Sequence, residues 1–122
     1  MHEATHRLST GLFKGLYGDF LNEGVTQHFA DMILGDEGLS PFTGHSYGPQ
    51  LTDGQKMIAK AGGWELVAQV YFQGSQDAHK EILVRLKLIK DAKSFRAIHT
   101  DEILKAVRAP LFRVISTQTI FR

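Results

Sequence analysis

Apolar side chains recur every four residues between positions 20 and 34, and this spacing is the feature that most limits the possible fold. Residues one turn apart share a face of an α-helix, so the pattern predicts an amphipathic helix that ends at Gly35. The stripe consists of Leu21, Val25, Phe29, Met32 and Ile33. A helix with one apolar face needs partners to cover it, which favours a fold built from packed helices.

Similar patterns predict further helices along most of the chain. They cover residues 2–16, 52–61, 77–90 and 100–109. The helix over 52–61 begins at a capping box at Thr52, and the last helix runs from a cap at Thr100 to Pro110. Residues 64–72 form a short buried helix or a strand, residues 35–51 a glycine-rich loop, and residues 111–121 an extended tail. We therefore predict a mainly α fold with little or no β-sheet, in a single domain over residues 1–122 whose residues 91–122 are a basic C-terminal extension.

Composition limits the chemistry. The 122 residues are 43% hydrophobic and 22% charged, which suits a packed globular domain. No apolar run approaches the roughly 18–20 residues of a membrane span, and the first residues lack the pattern of a secretory signal. The absence of Cys excludes disulfides, thiol catalysis and thiolate zinc sites, so any metal must be bound by His, Asp or Glu. A reducing cytoplasm suits such a chain, and export within a larger effector is also compatible with it.

Charge is distributed unevenly between the two parts of the chain. Residues 1–79 contain four Lys or Arg against nine Asp or Glu, whereas residues 80–122 contain ten against four. We favour attraction between the two parts and a solvated basic helix as the explanation, and we regard nucleic acid as the less favoured partner. The alternative is a non-catalytic helical interaction module whose basic C-terminal half binds an acidic partner or nucleic acid.

The opening residues carry an H-E-x-x-H motif, formed by His2, Glu3 and His6. On a helix, positions i and i+4 lie one turn apart on the same face, so both imidazoles can bind one metal ion. The intervening Glu then stands beside the metal, where it can accept a proton from water. An exposed N-terminus that contains His by chance is the alternative explanation.

Glu23 is the candidate for a third ligand. It follows His6 after sixteen residues, on the helix predicted above but away from its apolar stripe. After a tight reversal at residues 15–19, a carboxylate in the first turn of this helix can face the preceding helix. A capping or solvated Glu is the alternative.

The motif, followed by L-N-E-G-V-T-Q-H-F at residues 21–29, resembles the gluzincin metallopeptidases. More narrowly, it is similar to metallopeptidase-like domains of bacterial multidomain toxins and secreted proteins, and residues 62–74 resemble their downstream helical hairpin. The resemblance covers residues 2–90 and implies a zincin-like helical subdomain with a zinc helix, a Glu-ligand helix and that hairpin. It also implies Zn²⁺ bound by His2, His6 and Glu23, with Glu3 as general base in the hydrolysis of a peptide or protein substrate.

Gluzincins place a sheet before the zinc helix, and here only Met1 precedes His2. We therefore expect the chain to be the C-terminal part of a longer polypeptide. The alternatives are completion by a partner chain and a degenerate or non-catalytic zinc domain. A group that stabilises the oxyanion is also required. Tyr47, or less favourably His45, in the glycine-rich loop is the candidate for that role.

Other polar and aromatic residues receive weaker assignments. Asp19, Gln27 and Asp31 are candidates to hold the His ligands in place, and His28 is expected to be packed or to support the ligands. We expect the remaining residues of interest to be structural: His79 and His99 on the surface, and Trp64, Tyr71 and Phe72 in the core.

Overall fold

The computed structural model describes residues 1–36 and 48–110. These residues form six α-helices and one 3₁₀ helix, with no strand among them, so the mainly α prediction is confirmed. The elements are α1 (His2–Leu8), α2 (Leu12–Asp36), α3 (Gly48–Lys60), α4 (Trp64–Gln73), α5 (Gln76–Arg85), the 3₁₀ helix (Ala92–Ser94) and α6 (Thr100–Arg108). The predicted extended tail from residue 111 and most of the predicted loop over 35–51 lie outside the described residues.

Two glycines interrupt the helical backbone at the start of the chain. The single helix predicted over residues 2–16 is wrong, because Gly11 has a φ of +84° and the chain turns at residues 9–11. The reversal expected at residues 15–19 is a kink instead, where Gly18 has φ 88° and ψ 167° inside α2. Such backbone angles favour glycine, since a Cβ atom is strained at positive φ.

The capping box predicted at Thr52 is also wrong, because α3 begins one turn earlier. The Thr52 hydroxyl donates to the Gly48 carbonyl within the helix. Asp53 instead accepts two hydrogen bonds from Arg108 of α6, at 2.9 and 2.8 Å. The helix predicted over 77–90 ends at Arg85, since Lys87 adopts a φ of 62°, and His99 rather than Thr100 caps α6.

Helix α2 is the centre of the fold and packs against α1, α3, α4 and α6. The first part of its apolar stripe is buried as predicted, with Leu21 and Val25 fully excluded from solvent, whereas Met32 and Ile33 are only partly buried. The contact with α3 is made by backbone atoms: a Cβ atom added to Gly24 would lie 1.8 Å from the Gln50 carbonyl oxygen. Gly54 faces the same point from α3, where an added Cβ would lie 2.8 Å from the Gly24 carbonyl carbon.

The remaining core comes from α3 to α6, with two departures from the expected burial. Residues 64–73 are helical and bury Tyr71, but Trp64 at the first helical position is 46% exposed. His79, expected on the surface, is buried. No helix in the described ranges is both long enough and apolar enough to cross a bilayer.

Candidate metal centre

Helices α1 and α2 bring the side chains of His2, His6 and Glu23 together. The Nε2 atom of His2 lies 3.0 Å from Oε2 of Glu23, and the Nε2 atom of His6 lies 3.0 Å from Oε1 of the same carboxylate. The two Nε2 atoms are 3.1 Å apart. Two imidazole nitrogens from α1 and the two oxygens of one carboxylate from α2 therefore surround one small volume.

These separations suit a tetrahedral ion of zinc's size. With bonds of about 2.0–2.1 Å, two ligands of a tetrahedral zinc ion are about 3.3 Å apart. The observed spacings of 3.0 and 3.1 Å fall short of that value by only a few tenths of an ångström. The present spacing is therefore close to the one that a bound ion of this size needs.

Helix α1 turns a polar face toward α2. Thr5 is the buried residue of this helix, and His2 and His6, three residues before it and one after it, are partly buried. The apolar residues of α1, Ala4 and Leu8, are exposed to solvent, and Leu8 is 61% exposed. The i, i+4 spacing of the motif therefore places the two imidazoles, rather than an apolar stripe, against the neighbouring helix.

Gln27 and Asp31 fix the ring orientation of His2. The Gln27 amide nitrogen donates to Oδ1 of Asp31 at 2.9 Å, so the amide oxygen must face His2. That oxygen lies 2.8 Å from Nδ1 of His2, and because it can only accept, the imidazole proton belongs on Nδ1. Asp31, Gln27 and His2 thus form a chain of the kind that holds metal-binding histidines.

The proton on Nδ1 determines how the His2 ring meets Glu23. With its proton on Nδ1, a neutral His2 turns the lone pair of Nε2 toward a Glu23 oxygen only 3.0 Å away. Two acceptors at that distance repel each other unless a proton or a metal ion lies between them. The arrangement can therefore be satisfied by an imidazolium or by a divalent cation.

Glu3 stands at the edge of the cluster. One of its carboxylate oxygens lies within 4.8 Å of ligand atoms of His2 and His6. Its side chain is exposed, whereas the two histidines are partly buried. This position leaves Glu3 accessible to water and to a substrate.

A buried group of hydroxyls behind His6 was not foreseen from the sequence. The Thr26 hydroxyl lies 3.5 Å from Nδ1 of His6 and 2.6 Å from the hydroxyl of Tyr71. Thr26 belongs to the same L-N-E-G-V-T segment as Glu23 and lies one helical turn after Asn22. This one-turn spacing could have identified Thr26 from the sequence. Tyr71 lies 45 residues away from Thr26, so no local spacing could have identified it.

The other predicted site residues divide into three groups. Gln27 and Asp31 support His2, but Asp19 is exposed and pairs with Lys14 at 3.5 Å. His28 is partly buried against Phe29, and burial lowers its pKa, with Asp31 opposing the shift. Both candidates for the oxyanion, Tyr47 and His45, lie outside the described residues.

Among the histidines, His79 differs most from its predicted position, because it is buried and not on the surface. Its Nδ1 atom lies 2.5 Å from the Tyr17 hydroxyl, and its ring meets Phe95 edge to face. Burial lowers the pKa of His79 to about 4 and raises that of Tyr17. His99 is exposed as expected and accepts from the backbone of Asp101.

The chain matches no protein-family model, and comparison with curated proteins and with solved structures yields no match either.

Proposed function

We propose that the protein is a zinc-dependent metallopeptidase of the gluzincin type. The observation that carries this proposal is that the Nε2 atoms of His2 and His6, 3.1 Å apart, each lie 3.0 Å from a different oxygen of the Glu23 carboxylate. The H-E-x-x-H motif and the resemblance to gluzincins support it, with a peptide or protein as the substrate class.

Zinc is the metal best suited to this donor set. Two imidazoles and one carboxylate occur in catalytic zinc sites that keep a fourth position open, and the H-E-x-x-H spacing is typical of zinc hydrolases. When bound, zinc would lower the pKa of a coordinated water to about 7 and polarise a carbonyl group. The Glu23 side chain is 30% exposed, so the fourth position can be reached from solvent.

Glu3 would then move the proton. Its exposed carboxylate lies beside the two histidines, in reach of a water in the open position. As general base it would accept a proton from that water, and afterwards it would donate the proton to the leaving amine. His2, held by Gln27, would keep its Nε2 atom directed at the site throughout.

Metal analysis of the purified protein tests the site. We expect about one zinc per chain, and a large loss of zinc in Glu23→Ala and in His6→Ala. Glu65→Ala is the matched control, because Glu65 is an exposed helical glutamate on α4. A zinc content unaffected by Glu23→Ala and His6→Ala would refute the proposed site.

Glu3→Gln tests catalysis separately from metal binding. We expect this variant to retain zinc and to lose hydrolysis of fluorescently labelled casein, whereas Glu65→Gln retains both. A metal chelator should abolish the wild-type cleavage. If Glu3→Gln cleaves as fast as the wild type, Glu3 is not the general base; zinc without any cleavage would indicate a structural site.

The exposed cations of the C-terminal half favour a second candidate, an interaction module for an acidic partner or nucleic acid. Lys87, Lys90 and Lys93 are exposed and make no ion pair within the described ranges. Binding to a polyanion such as heparin, weakening steeply with salt, would support this function. Binding that is absent or insensitive to salt would contradict it.

A further inference from the structure

Thr26 is buried and polar at the point where α1, α2 and α4 meet. Its side chain is fully excluded from solvent. Its hydroxyl oxygen contacts three groups: the Asn22 carbonyl at 2.6 Å, the Tyr71 hydroxyl at 2.6 Å and Nδ1 of His6 at 3.5 Å. A hydroxyl has one hydrogen to donate and two lone pairs to accept with, so three partners use its full capacity.

The direction of each bond follows from its partners. The Asn22 carbonyl can only accept, so the single hydrogen of Thr26 must point to it. Thr26 can therefore only accept from Tyr71 and from His6. The Tyr71 hydroxyl has one hydrogen, which the 2.6 Å contact with Thr26 favours over the Thr5 carbonyl at 3.4 Å. A hydrogen bond across the 3.5 Å contact then requires the ring proton of His6 on Nδ1.

We propose that Thr26, with its hydroxyl direction set by Asn22 and Tyr71, is a positioning residue for the metal ligand His6. It holds the His6 ring with its proton on Nδ1, which leaves the lone pair of Nε2 directed at Glu23. The inference deepens the proposed function and rests on the metal site proposed there. His2 has its ring fixed by the amide of Gln27, and His6 has the equivalent support from a hydroxyl.

Thr26 is supported from the core of the fold, whereas Gln27, although buried itself, is supported by a partly buried carboxylate. Tyr71 is also fully buried, and its hydroxyl lies 3.4 Å from the Thr5 carbonyl of α1. The Thr26–Tyr71 pair thus connects the core of the fold to the helix that carries both histidines. In contrast, Gln27 acts through Asp31, whose side chain is only partly buried.

Zinc affinity and the ring protons of the zinc-loaded protein test this role. Thr26→Val keeps the shape of the side chain but removes the acceptor, and Thr26→Ser keeps the hydroxyl. Removing such a support weakens metal binding by about 10- to 100-fold. We expect this loss in Thr26→Val, measured by competition with a zinc chelator, and recovery to within about threefold of the wild type in Thr26→Ser.

The two histidines provide an internal control. In ¹H–¹⁵N spectra of the zinc-loaded protein, we expect a slowly exchanging Nδ1 proton on each ring. Thr26→Val should broaden or remove the His6 signal and leave the His2 signal, whereas Gln27→Leu should do the reverse. A general loss of structure would instead affect both signals.

The outcomes separate this inference from the proposed function. If the wild type binds no zinc, both fail. If zinc binds but Thr26→Val retains its affinity and its His6 proton signal, only the role of Thr26 is refuted. If Thr26→Val does not fold, the ring protons of the zinc-loaded wild type still test the inference. A His6 ring that binds zinc through Nδ1 and carries its proton on Nε2 would overturn it.

Discussion

The same substitution, Gly→Ala, should have opposite effects at two positions of α2. Gly15 lies on an exposed part of the helix, where an added Cβ atom meets nothing within 4 Å. At Gly24, the added atom would lie 1.8 Å from the carbonyl oxygen of Gln50 in α3. The helix propensity of the new residue is the same in both variants, so the difference measures the contact between α2 and α3.

The expected loss of stability in Gly24→Ala follows from the overlap of the added Cβ atom with the Gln50 oxygen. A Cβ–oxygen contact of at least about 3.2 Å requires the two helices to separate by about 1.4 Å near Gly24. A gap of only about 0.5–1 Å already forfeits a quarter to a half of the dispersion energy of each contact. Overpacking of this kind costs about 1–3 kcal/mol, or more, and alanine returns up to about 1 kcal/mol of helix propensity. We expect Gly24→Ala to lower the free energy of unfolding by about 2 kcal/mol, and Gly15→Ala to raise it by roughly 0.5–1 kcal/mol.

Urea unfolding followed by circular dichroism measures both values, with the wild type as reference. In a thermal scan, the melting temperature should fall by about 7 °C in Gly24→Ala and rise by about 3 °C in Gly15→Ala. Gly24→Ala should also weaken zinc binding, since the adjacent residue is the proposed ligand Glu23. Equal stability of the two variants would refute the close backbone contact between α2 and α3.

Three further predictions concern His79, the Asp53–Arg108 pair and the metal. The native pKa of His79, about 4, lies below its usual 6.5, so stability should be complete above pH 6.5 and fall as the pH drops toward 4. Urea unfolding at pH 7 and pH 5 should show this fall, and His79→Gln should reduce it. Arg108→Met should cost about 1–2 kcal/mol in the same assay, because it leaves the buried Asp53 carboxylate without its partner; an unchanged midpoint would contradict the pair's role. Zinc removal should accelerate amide hydrogen exchange in α1 and leave α4 protected; equal exchange with and without zinc would contradict the coupling.

The parts of the site that depend on local spacing could be predicted from the sequence. His2 and His6 share a face because they are four residues apart on a helix. Glu23 faces them because only a short turn separates α1 from α2, although the position of that turn was misjudged. Gln27 and Asp31 follow Glu23 at further steps of four residues, so the helix repeat places them on the same side.

The errors arise where distant parts of the chain create a residue's environment. His79 has the surroundings of a surface histidine in the sequence, but Tyr17, 62 residues away, and Phe95 enclose it. Capping at Thr52 was inferred from residues 52–55 alone, whereas the partner of Asp53 lies on α6. The backbone contact of Gly24 leaves no periodic pattern, because glycine has no side chain to mark a face.

The polarity of α1 links binding of the metal to docking of the helix. A helix of seven residues is too short to be stable alone in water, and proteins usually stabilise such segments by burying an apolar face. No residue of α1 belongs to the hydrophobic core. Its docked face consists of Thr5 and the two histidines, whose Nε2 atoms meet a carboxylate. Hydrogen bonds from the two rings to Gln27 and Thr26 already join α1 to α2, and an ion bound by His2, His6 and Glu23 would strengthen this docking of the helix.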